Sequence, residues 1–193
     1  PRCMVNSREK IVLKGLKRYG HDRPLDALKC LNFSVRTFWI NAYQSFIWNK
    51  TATERIQRFG CCPIKGDLYK DSNSNEVKVV SDPSIVSMTD VVLPLVGHNI
   101  IYPHNEIGSF MKTQLEMDGV EFKKDAIPEA TAKGGYRNVI VKCDDLTWEK
   151  IEALGDNQAG SNVISSATFR FSLPKGSYAT VCLRELMLNT ISR

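Results

Sequence analysis

Hydrophobic residues recur along this chain with two different periods, and the changes of period mark its elements. The longest helical signal runs over residues 35–59. There Val35, Phe38 and Trp39, Ala42 and Tyr43, Phe46 and Ile47 recur at helical spacing, and Ile56 and Phe59 extend the run. Ser34 is placed to cap it, and Gly60 followed by Pro63 stops it. The aromatic stripe is expected to face a core, with stacking on bases as the lesser alternative. Asn41, Gln44 and Asn49 lie beside apolar positions and are expected to hydrogen-bond to neighbouring loops.

Two shorter helices precede it. Residues 7–19 run from Ser7 as cap to Gly20 as stop, with Val12, Leu16 and Tyr19 as the apolar stripe. Lys10, Lys14 and Lys17, with Arg18 beside them, form a basic stripe that either tracks phosphates or is simply the wet side of the helix. Next comes a short helix with Pro24 in its first turn, Leu25, Leu28 and Leu31 expected to face inward, and Asn32 closing it.

From residue 61 the pattern shortens into strands and turns. Asp71–Asn75 reads as a turn, and Glu76–Val80 alternates like an edge strand. Val91–Leu93 and Asn99–Tyr102 are apolar runs, and Pro94 argues against a continuous central strand there. Asn105 is placed to cap a helix ending near Met117, before Asp118-Gly119. Residues 121–135 are polar and loop-like, and Gly134-Gly135-Tyr136-Arg137 opens a strand over Asn138–Cys143. Arg137, beside a glycine pair, either lies on a backbone phosphate or braces the turn. Residues 152–166 are small and polar, the composition of a linker.

A strand, a tight turn and a helix close the pattern. Phe169, Phe171 and Leu173 alternate with Thr168, Arg170 and Ser172, and Pro174 and Gly176 break the strand. Ser177 is a candidate N-cap. Tyr178, Ala179, Val181, Cys182, Leu183, Leu186, Met187 and Leu188 make the last helix apolar on almost every side, so it is expected to be buried. Arg184 and Glu185 sit in its middle and are expected to be paired, either as a structural ion pair or as support for a site. Lys175 and Gly176 before the helix either hold a phosphate or form a plain capped turn.

Length and composition leave room for one domain, or two small ones, and the mix of helices and short strands is of α+β class. Net charge is +5, but residues 1–60 carry 12 Lys/Arg against 4 Asp/Glu, and the rest is net −3. That asymmetry points to a polyanionic partner or to solvated helix faces. The cysteines Cys3, Cys30, Cys61, Cys62, Cys143 and Cys182 form no CxxC pair, and His21, His98 and His104 complete no metal spacing. Ordinary reduced thiols in nucleus or cytoplasm are the expectation, with adjacent Cys61-Cys62 as a lesser redox candidate. No membrane-spanning run, nucleotide loop or hydrolase elbow is present, so no metal, cofactor or membrane partner is implied, and a monomer is expected. The opening Pro1-Arg-Cys-Met-Val reads as the start of a fragment.

Several motifs in register carry more. They are Phe38–Asn49 (FWINAYQSFIWN), Gly66-Asp67-Leu68, Asp90–Gly97 with Tyr102-Pro103, Gly135-Tyr136-Arg137, and Phe171–Thr180 with Arg184-Glu185. In this order they resemble the TruD family of RNA pseudouridine synthases, best in its eukaryotic pseudouridylate-synthase-seven-like branch, from about residue 8 to the end. The resemblance implies a cofactor-free isomerase that takes a uridine of tRNA or mRNA out of the stack, cleaves its glycosidic bond and rejoins the base through carbon 5. Unstacking costs a few kcal/mol, which contacts to the base and backbone must offset. The family nucleophile is an aspartate of a Gly-x-Lys-Asp motif upstream of the Tyr-Gln-Ser helix. Lys70-Asp71 and Lys124-Asp125 match it only as dipeptides, and Gln57–Gly60 matches half of a second upstream motif in the wrong place, so no catalytic residue is assigned in this chain.

The resemblance therefore implies the carboxy-terminal half of such an enzyme. Residues 1–151 would form most of the inserted domain, 152–166 a linker, and 167–193 the strand-turn-helix returning to the catalytic sheet. By position, Leu173, Pro174, Gly176, Ser177, Arg184 and Glu185 would line or brace the active cleft. Asn41, Gln44, Ser45, Asn49 and Arg137 match recurrent family positions. Lys10, Lys14, Lys17, Arg137 and Lys175 are the candidate RNA contacts. A non-catalytic RNA-binding module of the same fold and a protein-interaction scaffold are the alternatives.

Overall fold

A computed structural model describes residues 7–71, 74–124, 132–152 and 164–187. The chain divides into two compact units, residues 1–139 and residues 140–193. Among the described residues no helix is long and apolar enough to cross a membrane.

In the first unit, helix α1 (Ser7–Tyr19) and helix α2 (Pro24–Lys29) pack at a glycine. A Cβ on Gly15 would stand 2.7 Å from the Ala27 Cα, so only glycine permits this approach. The α2 side facing α1 is therefore Ala27, while Leu25 and Leu28, expected to point inward, are exposed. Leu31 is buried as expected. Asn32 does not close α2 but precedes helix α3 (Phe33–Phe59), which starts ahead of Ser34.

Helix α3 ends at Gly60, whose φ of 65° is the left-handed stop that glycine tolerates. Its buried residues are Gln44, Ile47, Thr51 and Arg55, a single stripe at helical spacing. The stripe is mostly polar, and of the aromatics read as core Tyr43 packs against the cluster around Ile47 whereas three others do not. Phe38, Trp39 and Phe46 lie on the opposite side and are exposed. The buried polar side chains are each satisfied: Thr51 donates to the Ile47 carbonyl of its own helix, Arg55 to Asp67 just before the first strand of a sheet, and Gln44 to the Val96 carbonyl just after the third strand of that sheet in chain order.

That sheet is antiparallel in the order β2-β1-β3-β4, with β1 (Leu68–Lys70), β2 (Val77–Val79), β3 (Val91–Leu95) and β4 (Gly135–Asn138). β2 is an edge strand, as the alternation predicts. Pro94 nevertheless lies inside the central strand β3. It pairs with Tyr136 of β4, whereas β1 reaches only to Val92, so at Pro94 no second neighbour needs its missing N–H. Strand β4 is the Gly135–Asn138 stretch itself, and the expected strand over 139–143 is not formed. Helix α4 (Glu106–Met117) starts at the predicted cap, where Asn105 Oδ1 accepts the Ile107 N–H at 3.1 Å. Ile47, Val96, Met111 and Leu115 form the core, with Tyr43, Tyr102, Val120 and Phe122 packed around it.

The second unit is a hairpin of β5 (Asp144–Glu152) and β6 (Ile164–Ser172), followed by helix α5 (Ala179–Met187). Strand β5 has no counterpart among the elements that the hydrophobic pattern predicts. Residues 152 and 164–166 of the expected linker belong to these strands, and the break between the two compact units follows Val139. The remainder of that linker, 153–163, lies outside the described residues.

Candidate nucleic-acid interface

The family-like positions of the first unit converge where α3 crosses the sheet. Gln44 Nε2 donates to the Val96 carbonyl at 2.5 Å, and Trp48 Nε1 donates to the Leu93 carbonyl at 3.2 Å. Leu93 pairs with Arg137 across β3 and β4. The Arg137 guanidinium lies 5.4 Å from the centre of the Trp48 ring, a cation–π contact. Gln44 is thus a buried tie between helix and sheet, as its apolar surroundings predict, while Asn41 and Asn49 are exposed. Arg137 is half-buried and, among the described residues, has no carboxylate partner. A cation held against a ring with its charge uncompensated can take an anion.

The flanks of this seam are built on glycine. A Cβ on Gly97 would come within 2.3 Å of the Gly134 N, and the loop is held there by His98 N–H to the Ala132 carbonyl at 3.0 Å and Asn99 N–H to the Lys133 carbonyl at 3.1 Å. The Tyr136 hydroxyl accepts the Ile101 N–H at 2.7 Å. Gly97 and Gly134 therefore let two loops touch at backbone distance and fix the root of β4, whereas a Cβ on Gly135 would meet open space.

Lys10, Lys14, Lys17 and Arg18 are all exposed on α1, one face of a helix whose opposite side packs on α2. A single cationic stripe of this kind suits successive phosphates. In the second unit, Leu173 to Ser177 form the predicted tight turn. Ser177 N–H donates to the Pro174 carbonyl at 3.1 Å, and Gly176 has φ 91°, the geometry of a type II turn with Lys175 at its exposed corner. Ser177 is not the helix cap. The first turn of α5 closes on the Tyr178 carbonyl, which accepts from Val181 and Cys182.

The terminal helix departs most from expectation. No described residue of α5 is buried, Tyr178 and Met187 are well exposed, and Arg184 and Glu185 stand in solvent. Among the described residues neither forms an ion pair, which neighbouring positions on a helix cannot do with each other since their side chains diverge. The buried-pair argument therefore fails. Cys182 shares a hydrogen bond with Cys143, and partial burial together with that neighbour pushes its thiol pKa up. The described Cys61 and Cys62 are free and exposed.

Two residues of this region escape sequence reasoning. Trp48 stands in the sequence only as part of a motif, yet it carries Arg137. Arg55 is not singled out by the apolar periodicity, although it lies on the stripe of Gln44, Ile47 and Thr51 at helical spacing. A cation on a helix's inward side is a signal, and its partner Asp67 is already visible in Gly66-Asp67-Leu68.

Comparison with known proteins gives a consistent result. The family model for tRNA pseudouridine synthase D (TruD) matches residues 3–186. The mouse pseudouridylate synthase 7 homolog is 30% identical over 196 residues, covering 91% of this chain and 30% of that protein. A probable tRNA pseudouridine synthase D from Methanopyrus kandleri is 29% identical over 184 residues, covering 93% of this chain and 39% of the relative. The crystal structure of a tRNA pseudouridine synthase D from Methanosarcina mazei superposes with a TM-score of 0.70 at 24% identity, over 94% of this chain and 44% of that one, and so shares the fold. The chain spans about a third of the length of the curated relatives it matches.

Proposed function

The chain belongs to the TruD family of pseudouridine synthases, and from that premise we propose that it is part of an enzyme isomerising uridine to pseudouridine in RNA. The family match from residue 3 to residue 186, running through both units, carries this reading. It is of the kind found with the eukaryotic pseudouridylate synthase 7 homologues. The substrate would be tRNA or mRNA, and the site of action the nucleus or cytoplasm.

In this reading the chain supplies grip and shape, not the nucleophile. Lys10, Lys14 and Lys17 follow the RNA backbone along α1. Arg137, stacked on Trp48, holds a phosphate at the helix–sheet seam. Lys175 at the corner of the turn reaches another. Leu173, Pro174, Gly176, Ser177, Arg184 and Glu185 border the cleft, with support from the resemblance of their motif alone.

The test is to incubate the 193-residue chain with uridine-containing RNA, titrate binding against salt, and assay the digested RNA for pseudouridine. Binding that weakens with salt, without pseudouridine, is expected. Absence of binding at low salt overturns the RNA reading, and turnover by this chain overturns the assignment of the nucleophile elsewhere.

A further inference from the structure

The solvent side of α3 carries three aromatic rings that no described part of the chain covers. Phe38 is 62% exposed, Trp39 43% and Phe46 52%. With a turn every 3.6 residues, Phe38, Ala42, Phe46 and Asn49 form one row, and Trp39 and Lys50 lie beside it. The buried stripe of Gln44, Ile47, Thr51 and Arg55 occupies the other side. An ordinary surface helix would put Lys and Glu on this outer side.

The polar residues around the row are of one kind. Between Phe33 and Thr53 the sequence holds Arg36 and Lys50 and not a single Asp or Glu. Lys50 Nζ lies 5.2 Å from the centre of the Phe46 ring. On the other flank Trp48 carries the Arg137 guanidinium at 5.4 Å. Between the two flanks stand the exposed amides of Asn41 and Asn49 and the half-exposed Ser45. Over residues 33–53 the helix therefore presents rings in the middle, a cation against a ring on each flank, hydrogen-bonding side chains between, and no acid of its own; Lys50 also donates to Gln114, and Asp118 bonds to Tyr43 beside it.

We infer that this side of α3 is a stacking platform for a single-stranded segment of RNA, with bases laid on Phe38, Phe46 and Trp39 and phosphates drawn to Lys50 and Arg137. The inference rests on the RNA reading above and adds to it a surface and a mode of recognition. Rings accept any base, so the platform holds unpaired nucleotides with little sequence preference. A double helix, whose bases are already stacked, gains nothing from it. Phe38 and Phe46 are separated by about 12 Å along the helix, so more than one nucleotide is engaged.

The experiment measures anisotropy of a labelled short oligouridylate with the full chain, next to the same oligomer carrying abasic positions and to a duplex of equal length. Phe38→Ser and Phe46→Ser are each expected to weaken oligouridylate binding roughly 5- to 150-fold while leaving its salt dependence unchanged. Phe46→Tyr, which keeps a ring, is expected to retain affinity, and Ile85→Ser, at an exposed apolar site elsewhere in the same unit, to change nothing. The abasic oligomer is expected to bind the unaltered chain as weakly as the Ser variants bind the intact one, a readout independent of how any variant folds. Oligouridylate and abasic oligomer binding alike overturns the platform and leaves the RNA reading standing. No binding of any RNA at low salt overturns both. Ser variants that keep RNA affinity but lose a dimer seen by light scattering overturn it in favour of a second copy of the chain.

Discussion

Arg55 and Asp67 form an ion pair at 2.8 Å with both side chains out of solvent. Every nitrogen of the guanidinium and both oxygens of the carboxylate are hydrogen-bonded. Arg55 also donates to the carbonyls of Gly60 and Cys62, and Asp67 accepts from the Ile64 N–H and from Asn105 Nδ2 at 3.0 Å. Asn105 in turn caps α4. One network thus ties the end of α3, the start of β1 and the start of α4. It gives Gly66-Asp67-Leu68 a structural role: Gly66, with φ 88°, lies against the His104 carbonyl, Asp67 takes the arginine, and Leu68 fills the core.

Removing one partner leaves a buried charge unpaired, so Asp67→Ala is expected to lower the unfolding free energy by about 3–5 kcal/mol. Replacing both, with Arg55→Met and Asp67→Leu together, is expected to lose less than the sum of the single changes. Denaturant unfolding of the four proteins as a double-mutant cycle measures it.

Gly97→Ala sets a methyl group against the Gly134 N and Cα at 2.3 and 2.5 Å and the Lys133 carbonyl carbon at 2.6 Å, where no flexible side chain can yield. A loss of roughly 1–3 kcal/mol is expected from overpacking. Because the strain falls at the root of β4, amide exchange in Gly135–Asn138 should speed up more than in β1 or β2.

Tyr43 hydrogen-bonds to Asp118 at 2.8 Å, and burial, this bond and the carboxylate charge raise its pKa to about 12. A raised acid pKa means that the folded state holds the proton more tightly. Its contribution is complete below pH 10 and is lost as pH rises from about 10 to about 12. Tyr43→Phe is expected to be less stable than the unaltered chain by a constant amount near neutrality, and to show a shallower fall of stability over that interval in thermal melts, so that the two converge toward high pH.

Changing Lys10, Lys14 and Lys17 together to Ala is expected to flatten the salt dependence of RNA binding. For every phosphate that the variant no longer neutralises, the slope of log K against log salt falls by about 0.7 on single strands. A slope equal to that of the unaltered chain would place the phosphate-binding surface elsewhere. Circular dichroism should show α1 intact, since all three lysines are exposed.

Arg137→Lys keeps the charge but removes the planar guanidinium that lies on Trp48. RNA affinity is expected to fall about tenfold with an almost unchanged salt slope. Trp48→Leu should reproduce that loss through Arg137, and the two changes together should cost less than their sum.

Local chemistry decided much of this protein from the sequence alone. Helix α1, the Asn105 cap, the glycine stops at Gly20 and Gly60, the edge strand β2 and the Pro174–Ser177 turn follow from periodicity, capping and backbone freedom within a few residues. The motifs in register also carried the family. Burial, however, depends on what stands opposite, and there the sequence misled. Phe38, Trp39 and Phe46 look like core, but Gln44 and Arg55 took the inward side because the Val96 carbonyl and Asp67 stand there, and Thr51 joined them by bonding to its own helix, while a polar group left unpaired inside is penalised more than a ring left outside. Pro94 entered a central strand because one neighbour stops short of it. Arg184 and Glu185 needed no partner once α5 proved exposed. The decisive neighbours are distant in sequence, as Val96 is from Gln44 and β1 from Pro94, and only the folded chain brings them together.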